Sequence, residues 1–202
     1  MDASVAAKNA LKNVLQASSN EKLVIFCDEE KTEIGEAFAK GAQDLGLLTM
    51  LVILEQPETP RTLVPKHVEE VLAQKPDIYI NLLSGNREET PFRIQLIKKE
   101  TADHKSRLGH CPGVTVDMLT EGALALTPEE HNKMQGHAEQ LMKVLEETVT
   151  VTVCSPSGTN LTLSARGRKF FTDTKIDWDT MKWMNLPTGE VIVAPVEDSL
   201  NG

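Results

Sequence analysis

The stretch Leu23-Val24-Ile25-Phe26-Cys27 decides the fold, because its apolar residues follow one another with no polar residue between them. A strand of this kind carries apolar side chains on both faces, which is typical of a parallel sheet covered by helices on each side. Residues 47–54 and 78–83 have the same nearly continuous apolar character. The sequence therefore predicts a parallel sheet ordered around residues 23–27, with these two segments as further buried strands.

The segments around these strands have the apolar spacing of helices. Residues 5–16 and 34–45 place apolar side chains three and four positions apart, and Gly46 follows the second segment as a C-terminal cap would. A shorter helix is expected at residues 68–73, and a fourth strand at residues 105–108. Because buried strands alternate with helices, we predict an α/β fold with a parallel sheet and helices on both of its faces.

Two capping patterns place helices further along the chain. Thr90 is expected to be the N-cap of a helix that has Pro91 at its first position. Thr127 and Glu130 have the spacing of a capping box, in which each residue satisfies a free backbone N–H of the other. This pattern predicts a long helix that runs to about residue 147.

After that helix the apolar period changes from helical to alternating. Residues 149–153 alternate valine with threonine, residues 155–160 are typical of a turn, and residues 161–163 alternate back. This pattern indicates a β-hairpin with one face toward a core. We therefore expect residues 1–147 to form an α/β domain and residues 148–202 to begin a second, β-rich domain.

The composition excludes several classes of partner. The chain of 202 residues has a net charge of −9, whereas nucleic acids and anionic membranes attract a basic face. No apolar run approaches the roughly 20 residues of a membrane span. The N-terminus lacks the basic start and apolar stretch of a signal peptide. We expect a cytoplasmic protein that binds neither nucleic acid nor membrane.

The three cysteines support the same compartment. Cys27, Cys111 and Cys154 are odd in number and far apart, with no C-x-x-C pair. Free thiols in a reducing cytoplasm fit this arrangement better than a disulfide framework does. We expect each cysteine to be a small buried apolar residue rather than a catalytic nucleophile.

Two polar clusters follow predicted strands. Asp28, Glu29 and Glu30 come at the end of the first strand, where parallel sheets often bind ligands. No glycine-rich fingerprint follows them, so we expect no dinucleotide cofactor and predict that they cap the next helix. The segment at residues 84–86 has turn chemistry, with a ligand contact left open as an alternative.

The histidines do not form a metal-binding pattern. His131 and His137 lie six positions apart on one predicted helix and therefore face different ways. His104 and His110 flank a loop that ends in Cys111, which leaves an N/S metal site open, but a structural zinc site needs four ligands. No Gly-x-Ser-x-Gly elbow of a serine hydrolase is present, so no nucleophilic serine is predicted. The residues outside the last stretch of the chain assign no other catalytic residue.

The last stretch of the chain carries the most specific signal. A Pro-Thr-Gly turn at residues 187–189 leads into Glu190, and the β-branched run at residues 191–193 follows. At the mouth of a strand a carboxylate is held on a rigid element and can serve as a metal ligand. Residues 185–191, Asn-Leu-Pro-Thr-Gly-Glu-Val, with Ala-Pro-Val-Glu-Asp-Ser-Leu-Asn-Gly at residues 194–202, resemble the aminopeptidase T/leucyl aminopeptidase family of two-metal exopeptidases.

This resemblance implies a function and a cofactor. In that family the glutamate that matches Glu190 ligates a pair of divalent ions, usually zinc, cobalt or a similar metal, which activate a water and polarise the carbonyl of a peptide. The resemblance implies a peptide substrate, whose N-terminal residue, such as leucine, is released, and we expect a homodimer. The family's other ligands, including a His-x-Asp pair, lie in a later half. We therefore expect this chain to be the N-terminal part of such an enzyme and inactive alone. The resemblance also implies that residues 148–202 are the beginning of the metal-binding catalytic domain.

Two other hypotheses remain open from the sequence. Ring-opening dioxygenases of dihydroxypyridine look similar over this region and use one iron, so only the ligand set separates them from the peptidases. Alternatively, the chain is a non-catalytic binding or dimerisation module that needs no metal and pairs through the hairpin at residues 149–163.

Overall fold

The computed structural model describes residues 1–55, 58–103, 105–179 and 182–199. The chain divides into two compact units. The first joins Met1–His131 to Lys175–Thr188, and the second contains Asn132–Thr174 and the segment from Gly189 onward. The start of a catalytic domain at residue 148 stays a prediction.

The first unit is built on a five-stranded parallel sheet with the order β2-β1-β3-β4-β8. Its strands are β1 (Lys22–Asp28), β2 (Leu48–Leu54), β3 (Ile78–Leu82), β4 (Arg107–His110) and β8 (Trp183–Asn185). The helices of the chain are α1 (Ala3–Asn13), α2 (Thr32–Gln43), α3 (Lys66–Leu72), α4 (Thr90–Glu100), α5 (Val116–Thr120) and α6 (Pro128–Leu145). No helix of the described residues is long and apolar enough to cross a membrane.

Two apolar cores lie on opposite faces of this sheet, because β1 presents alternate side chains to each. Ile25 packs with Leu11 of α1 and Phe38 of α2 on one face. Phe26 packs on the other face with Phe92 of α4 and a further cluster that includes Val68 of α3. The predicted fold class is therefore confirmed: a parallel sheet flanked by helices, followed by antiparallel strand pairs.

The sheet differs from the sequence prediction at both ends. β2 lies at an edge of the sheet, and Leu48 is 59% exposed, although its apolar run predicted a buried strand. β4 begins two residues later than predicted. β8 was not predicted, because a three-residue strand containing one tryptophan, one methionine and one asparagine shows no periodicity.

The two predicted caps have different outcomes. The capping box is confirmed: the backbone N–H of Thr127 donates to Glu130 Oε2 over 2.7 Å, and the N–H of Glu130 donates to Thr127 Oγ1 over 3.2 Å. The N-cap prediction for Thr90 is wrong. A 3₁₀ turn at Arg87–Glu89 runs directly into α4, and Asn86 caps this turn by accepting from the N–H of Glu88. The helical turn starts earlier than the proline indicated.

A buried polar pair joins the sheet to α4. The Asn81 side chain on β3 donates from Nδ2 to Glu100 Oε2 over 2.8 Å, and both residues are buried. The other two oxygens of the pair, Asn81 Oδ1 and Glu100 Oε1, have no hydrogen-bond partner among the described residues. Burial raises the pKa of Glu100 to about 8, against a smaller lowering by the Asn81 hydrogen bond, so the carboxyl group is protonated at neutral pH.

The second unit contains two antiparallel strand pairs. The predicted hairpin is present as β5 (Thr150–Cys154) and β6 (Asn160–Ser164), with Val151 opposite Leu163. Its valine face is not buried as predicted, because Val149 and Val153 are exposed. The other pair joins β7 (Phe171–Thr172) to β9 (Val191–Ile192). This second pair places residue 190 at the beginning of a strand, as the sequence predicted.

Candidate functional site

The first place to look for a site is the switch point of the parallel sheet. The chain leaves β1 toward β2 on one side and then returns to β3 on the other, so the carboxyl ends of β1 and β3 bound the crevice in which doubly wound folds bind ligands. Asp28 ends β1 and is fully buried there. Its Oδ2 accepts a hydrogen bond from the backbone N–H of Ser84, just beyond β3, over 2.6 Å.

Arg61 lies in the same crevice and contacts two buried carboxylates there. Its Nη1 lies 2.7 Å from Asp28 Oδ1. Its Nε and Nη2 donate to the two carboxylate oxygens of Glu89 over 2.9 and 2.7 Å, and its guanidinium lies 4.8 Å from the centre of the Phe92 ring. Burial opposes ionisation of Glu89, but the hydrogen bonds and charge of Arg61 hold the pKa of this carboxyl below its usual value.

Side chains of the protein itself therefore occupy the crevice at the switch point of the sheet. Asp28 was predicted to cap the next helix, but its carboxylate makes no capping hydrogen bond and instead bridges β1, Ser84 and Arg61. Both carboxylates bind the same guanidinium in the protein interior. There a hydrogen bond is stronger than at the surface, and removing one partner strongly destabilises the fold. Among the described residues, this buried ionic cluster occupies the crevice next to Asp28.

The histidine and cysteine side chains also do not form a metal site. His110 ends β4 in a buried position, its Nδ1 has no partner, and burial together with the charge of Arg93 lowers its pKa to about 4. Cys111 is buried as predicted, and burial raises the pKa of its thiol. His104, the other candidate of this loop, lies outside the described residues. Among the residues that the structure describes, no group of three or more His, Cys, Asp or Glu side chains could hold a metal ion.

Two further histidines lie on α6, and the other two cysteines lie on β1 and β5. His131 is buried and His137 is exposed, so the two face different ways on α6 as predicted. Cys27 is buried, but the prediction that Cys154 is buried is wrong: it lies at the exposed end of β5. All three cysteines are free thiols.

The turn before β9 holds Glu190 in a defined position. Asp173 Oδ1 accepts hydrogen bonds from the backbone N–H groups of Gly189 and Glu190, over 2.9 and 2.8 Å. Thr172 Oγ1 donates to the carbonyl of Glu190 over 2.8 Å. Gly189 has a φ of +137°, a conformation that side chains rarely adopt, which explains the glycine in the motif. These three hydrogen bonds thus hold the backbone of residues 189 and 190 without using the side chain of Glu190.

The Glu190 carboxylate is exposed and has no partner among the described residues, in contrast to its neighbour Glu197. Glu197 forms an exposed ion pair with Arg168 over 2.5 Å. The hydrogen bond from its own backbone N–H and the charge of Arg168 lower the pKa of Glu197. Of these two glutamates, Glu190 is the one free to bind an added cation.

One carboxylate does not make a metal centre. Divalent ions in proteins are held by several oxygen or nitrogen ligands, and a single carboxylate competes poorly with water. Within the described ranges, Glu190 fits one ligand position and nothing completes the set. Its role as a ligand stays a prediction. Asp173, which positions the turn, was not singled out in the sequence, since an aspartate between two threonines has no distinctive spacing.

The fold defines a class of protein: a doubly wound α/β unit with antiparallel strand pairs attached. No protein-family model matches the chain, and no curated protein matches its sequence. Among solved structures, the chain is similar to AmpT from Thermus thermophilus, an aminopeptidase T, with a TM-score of 0.63 and 14% identity over 98% of this chain and 62% of that one. It is similar to the 2,5-dihydroxypyridine dioxygenase from Pseudomonas putida, with a TM-score of 0.62 and 15% identity over 99% of this chain and 57% of that one.

These similarities establish the fold and a distant structural relation. At 14% and 15% identity they do not distinguish peptidase from dioxygenase chemistry. The chain spans less than two thirds of the length of both proteins.

Proposed function

We propose that this chain contributes the N-terminal α/β part and one metal ligand, Glu190, to a metal-dependent aminopeptidase. The observation that carries the proposal is the exposed carboxylate of Glu190 on a turn whose backbone N–H groups are held by a buried aspartate. The motif around Glu190 and the similarity to AmpT support the peptidase class. The free thiols support a reducing, cytoplasmic location.

The proposal assigns separate tasks to the two units. In the first unit, the buried cluster of Asp28, Arg61 and Glu89 fills the ligand crevice of the sheet, so this unit serves as a scaffold. In the second unit, Glu190 faces solvent from a rigid turn. The remaining ligands have to come from outside the described residues. We therefore expect the 202-residue chain alone not to release leucine from a leucyl substrate at a useful rate with cobalt or zinc.

The test is Glu190→Gln in the protein expressed from its complete reading frame. Glutamine keeps the size of the side chain and removes the charge that binds a cation, so metal content and turnover should both fall while the circular dichroism spectrum is unchanged. Glu197→Gln is the matched control, because that glutamate is exposed in the same segment but already paired with Arg168. A Glu190→Gln protein with full metal content and the wild-type rate at saturating cobalt would refute the proposal.

The second candidate function is a ring-opening dioxygenase, which the similar TM-score of the dihydroxypyridine enzyme favours. The two functions differ in cofactor and co-substrate. The peptidase proposal expects release of N-terminal leucine with cobalt or zinc and no oxygen uptake. Oxygen consumption with ferrous iron and a dihydroxypyridine, without peptidase activity, would support the dioxygenase instead.

A further inference from the structure

Asp173 is a buried carboxylate that the described residues leave without a cation. It is 5% exposed and forms no ion pair with any described residue. Its Oδ1 accepts from the backbone N–H groups of Gly189 and Glu190 over 2.9 and 2.8 Å. A buried carboxylate is costly unless hydrogen bonds stabilise it, and bonds to a charged acceptor are about twice as strong as neutral ones. The carboxylate and the two N–H groups therefore hold each other in place.

The carbonyl of Glu190 is held by the same short segment. Thr172 Oγ1 donates to this carbonyl over 2.8 Å, and the backbone N–H of Asp173 donates to it over 3.3 Å. Both backbone polar groups of Glu190 are thus bound by residues 172 and 173. Because the backbone sets the direction of the Cα–Cβ bond, the side chain of Glu190 leaves the turn in one direction, and only its staggered torsions stay free.

The segment that holds Glu190 is itself attached to helix α6. Thr174 is 1% exposed, and its carbonyl accepts from Gln135 Nε2 over 3.1 Å. Its N–H donates to Thr172 Oγ1 over 3.3 Å. The strands β7 and β9 have only two residues each, so their ladder alone is too short to hold the turn. All of these residues belong to the second unit.

We infer that Asp173 is a positioning residue, which sets the direction of the proposed metal ligand Glu190 through the two backbone N–H groups. This inference rests on the function proposed above. Asp173 acts on the metal through Glu190, because its Oδ1 is engaged by the backbone. Residues that orient a metal ligand typically change metal affinity by 10- to 100-fold when they are replaced.

Cobalt affinity gives the first test, measured by competition with a chelator in the protein expressed from its complete reading frame. Asp173→Ala removes the acceptor and should raise the dissociation constant for cobalt by about 10- to 100-fold. Asp173→Asn keeps an acceptor oxygen and should stay within about threefold of the wild type. Leu163→Ala on β6 disturbs the same unit away from the turn and should leave the affinity unchanged. An Asp173→Asn protein as weak as Asp173→Ala, or a loss as large in Leu163→Ala, overturns the inference.

A double variant separates positioning from general damage to the fold. In the Glu190→Gln background, Asp173→Ala should weaken cobalt binding by no more than about twofold further, because the ligand through which it acts has already been lost. A further loss of about tenfold overturns the inference. If Glu190→Gln alone leaves the affinity unchanged, the proposed function itself fails. Loss of affinity in Glu190→Gln without loss in Asp173→Ala overturns the positioning role alone.

Hydrogen exchange of the metal-free protein tests the geometry without any metal. The amides of Gly189 and Glu190 should be protected in the wild type and in Asp173→Asn, and should exchange at least about tenfold faster in Asp173→Ala. The amide of Val196, which donates to the carbonyl of Ser164 in the same unit, should not change. Equal protection of residues 189 and 190 in the wild type and in Asp173→Ala would mean that the turn holds without Asp173, which overturns the inference.

Discussion

The buried Glu100 should make the free energy of unfolding depend on pH in a way that glutamine removes. In the unfolded chain the carboxyl group has a pKa of about 4.5, and in the folded chain burial raises this pKa to about 8. Between these values the folded state holds a proton that the unfolded state has lost. The stability contributed by the neutral acid is complete below pH 4.5 and falls by about 1.4 kcal/mol per pH unit up to pH 8.

Glutamine at position 100 fits the same geometry without titrating. Its carbonyl can accept from Asn81 Nδ2, as Glu100 Oε2 does, and its amide group carries no charge at any pH used. We therefore expect Glu100→Gln to equal the wild type in stability near pH 4.5 and to exceed it at pH 7 by up to about 3 kcal/mol, the slope multiplied by the interval.

Urea denaturation of both proteins at pH 4.5, 6.5 and 8 measures this difference, with Glu70→Gln on exposed α3 as the control. The difference between variants is needed because His110 acts in the opposite direction. Its folded pKa of about 4 lies below its usual 6.5, so its contribution is present above pH 6.5 and is lost toward pH 4. If the advantage of Glu100→Gln does not grow from pH 4.5 to pH 8, Glu100 is not a buried neutral acid and the reasoning fails.

Three further predictions concern single side chains. Arg61→Leu leaves Asp28 and Glu89 buried without their cation. It should lower the free energy of unfolding, measured by urea denaturation, by about 3–5 kcal/mol at pH 7 and by less at pH 4. A cost below that of the exposed-site control Arg166→Leu would contradict the buried cluster. Gly189→Ala places a side chain on a residue with a φ of +137° and brings its Cβ within 3.3 Å of Met134 Sδ. This should lower the free energy of unfolding by about 1–3 kcal/mol. An unchanged melting temperature would show that the turn relaxes freely. Thr127→Ala removes the capping oxygen of α6 and should cost about 1 kcal/mol, and Thr148→Ala, beyond the end of that helix, serves for comparison.

The sequence predicted those parts of the fold that depend on local pattern. The apolar run of β1, the capping box at Thr127 and the alternation of β5 and β6 each have a short-range cause and are present as predicted. The position of β2 at an edge could not be predicted, because an apolar run fixes a strand but not its number of neighbours. β8 was missed since its pairing with β4 depends on residues far apart in the chain.

The candidate site was predictable only in part. The motif pointed to Glu190, and the structure places this residue at the beginning of β9 as expected. The roles of Arg61 and Asp173 depend on side chains that meet across long sequence separations, Arg61 from a proline-rich loop and Asp173 from an unremarkable segment. A local sequence pattern does not predict contacts between residues far apart in the chain. The ion pair of Arg61 with Asp28 and the hydrogen bonds of Asp173 to the turn before β9 are therefore seen only in the three-dimensional structure.

β8 lies more than 70 residues after its partner β4 in the sequence, which has a consequence for folding during synthesis. A nascent chain completes β4 long before residues 183–185 leave the ribosome, and until then the outer edge of β4 has no partner. Pairings between distant segments form slowly, because a long loop has to close before the contact is made. An unpaired strand edge can associate with other chains, so we expect misassociation of the growing chain to be most frequent before β8 pairs with β4.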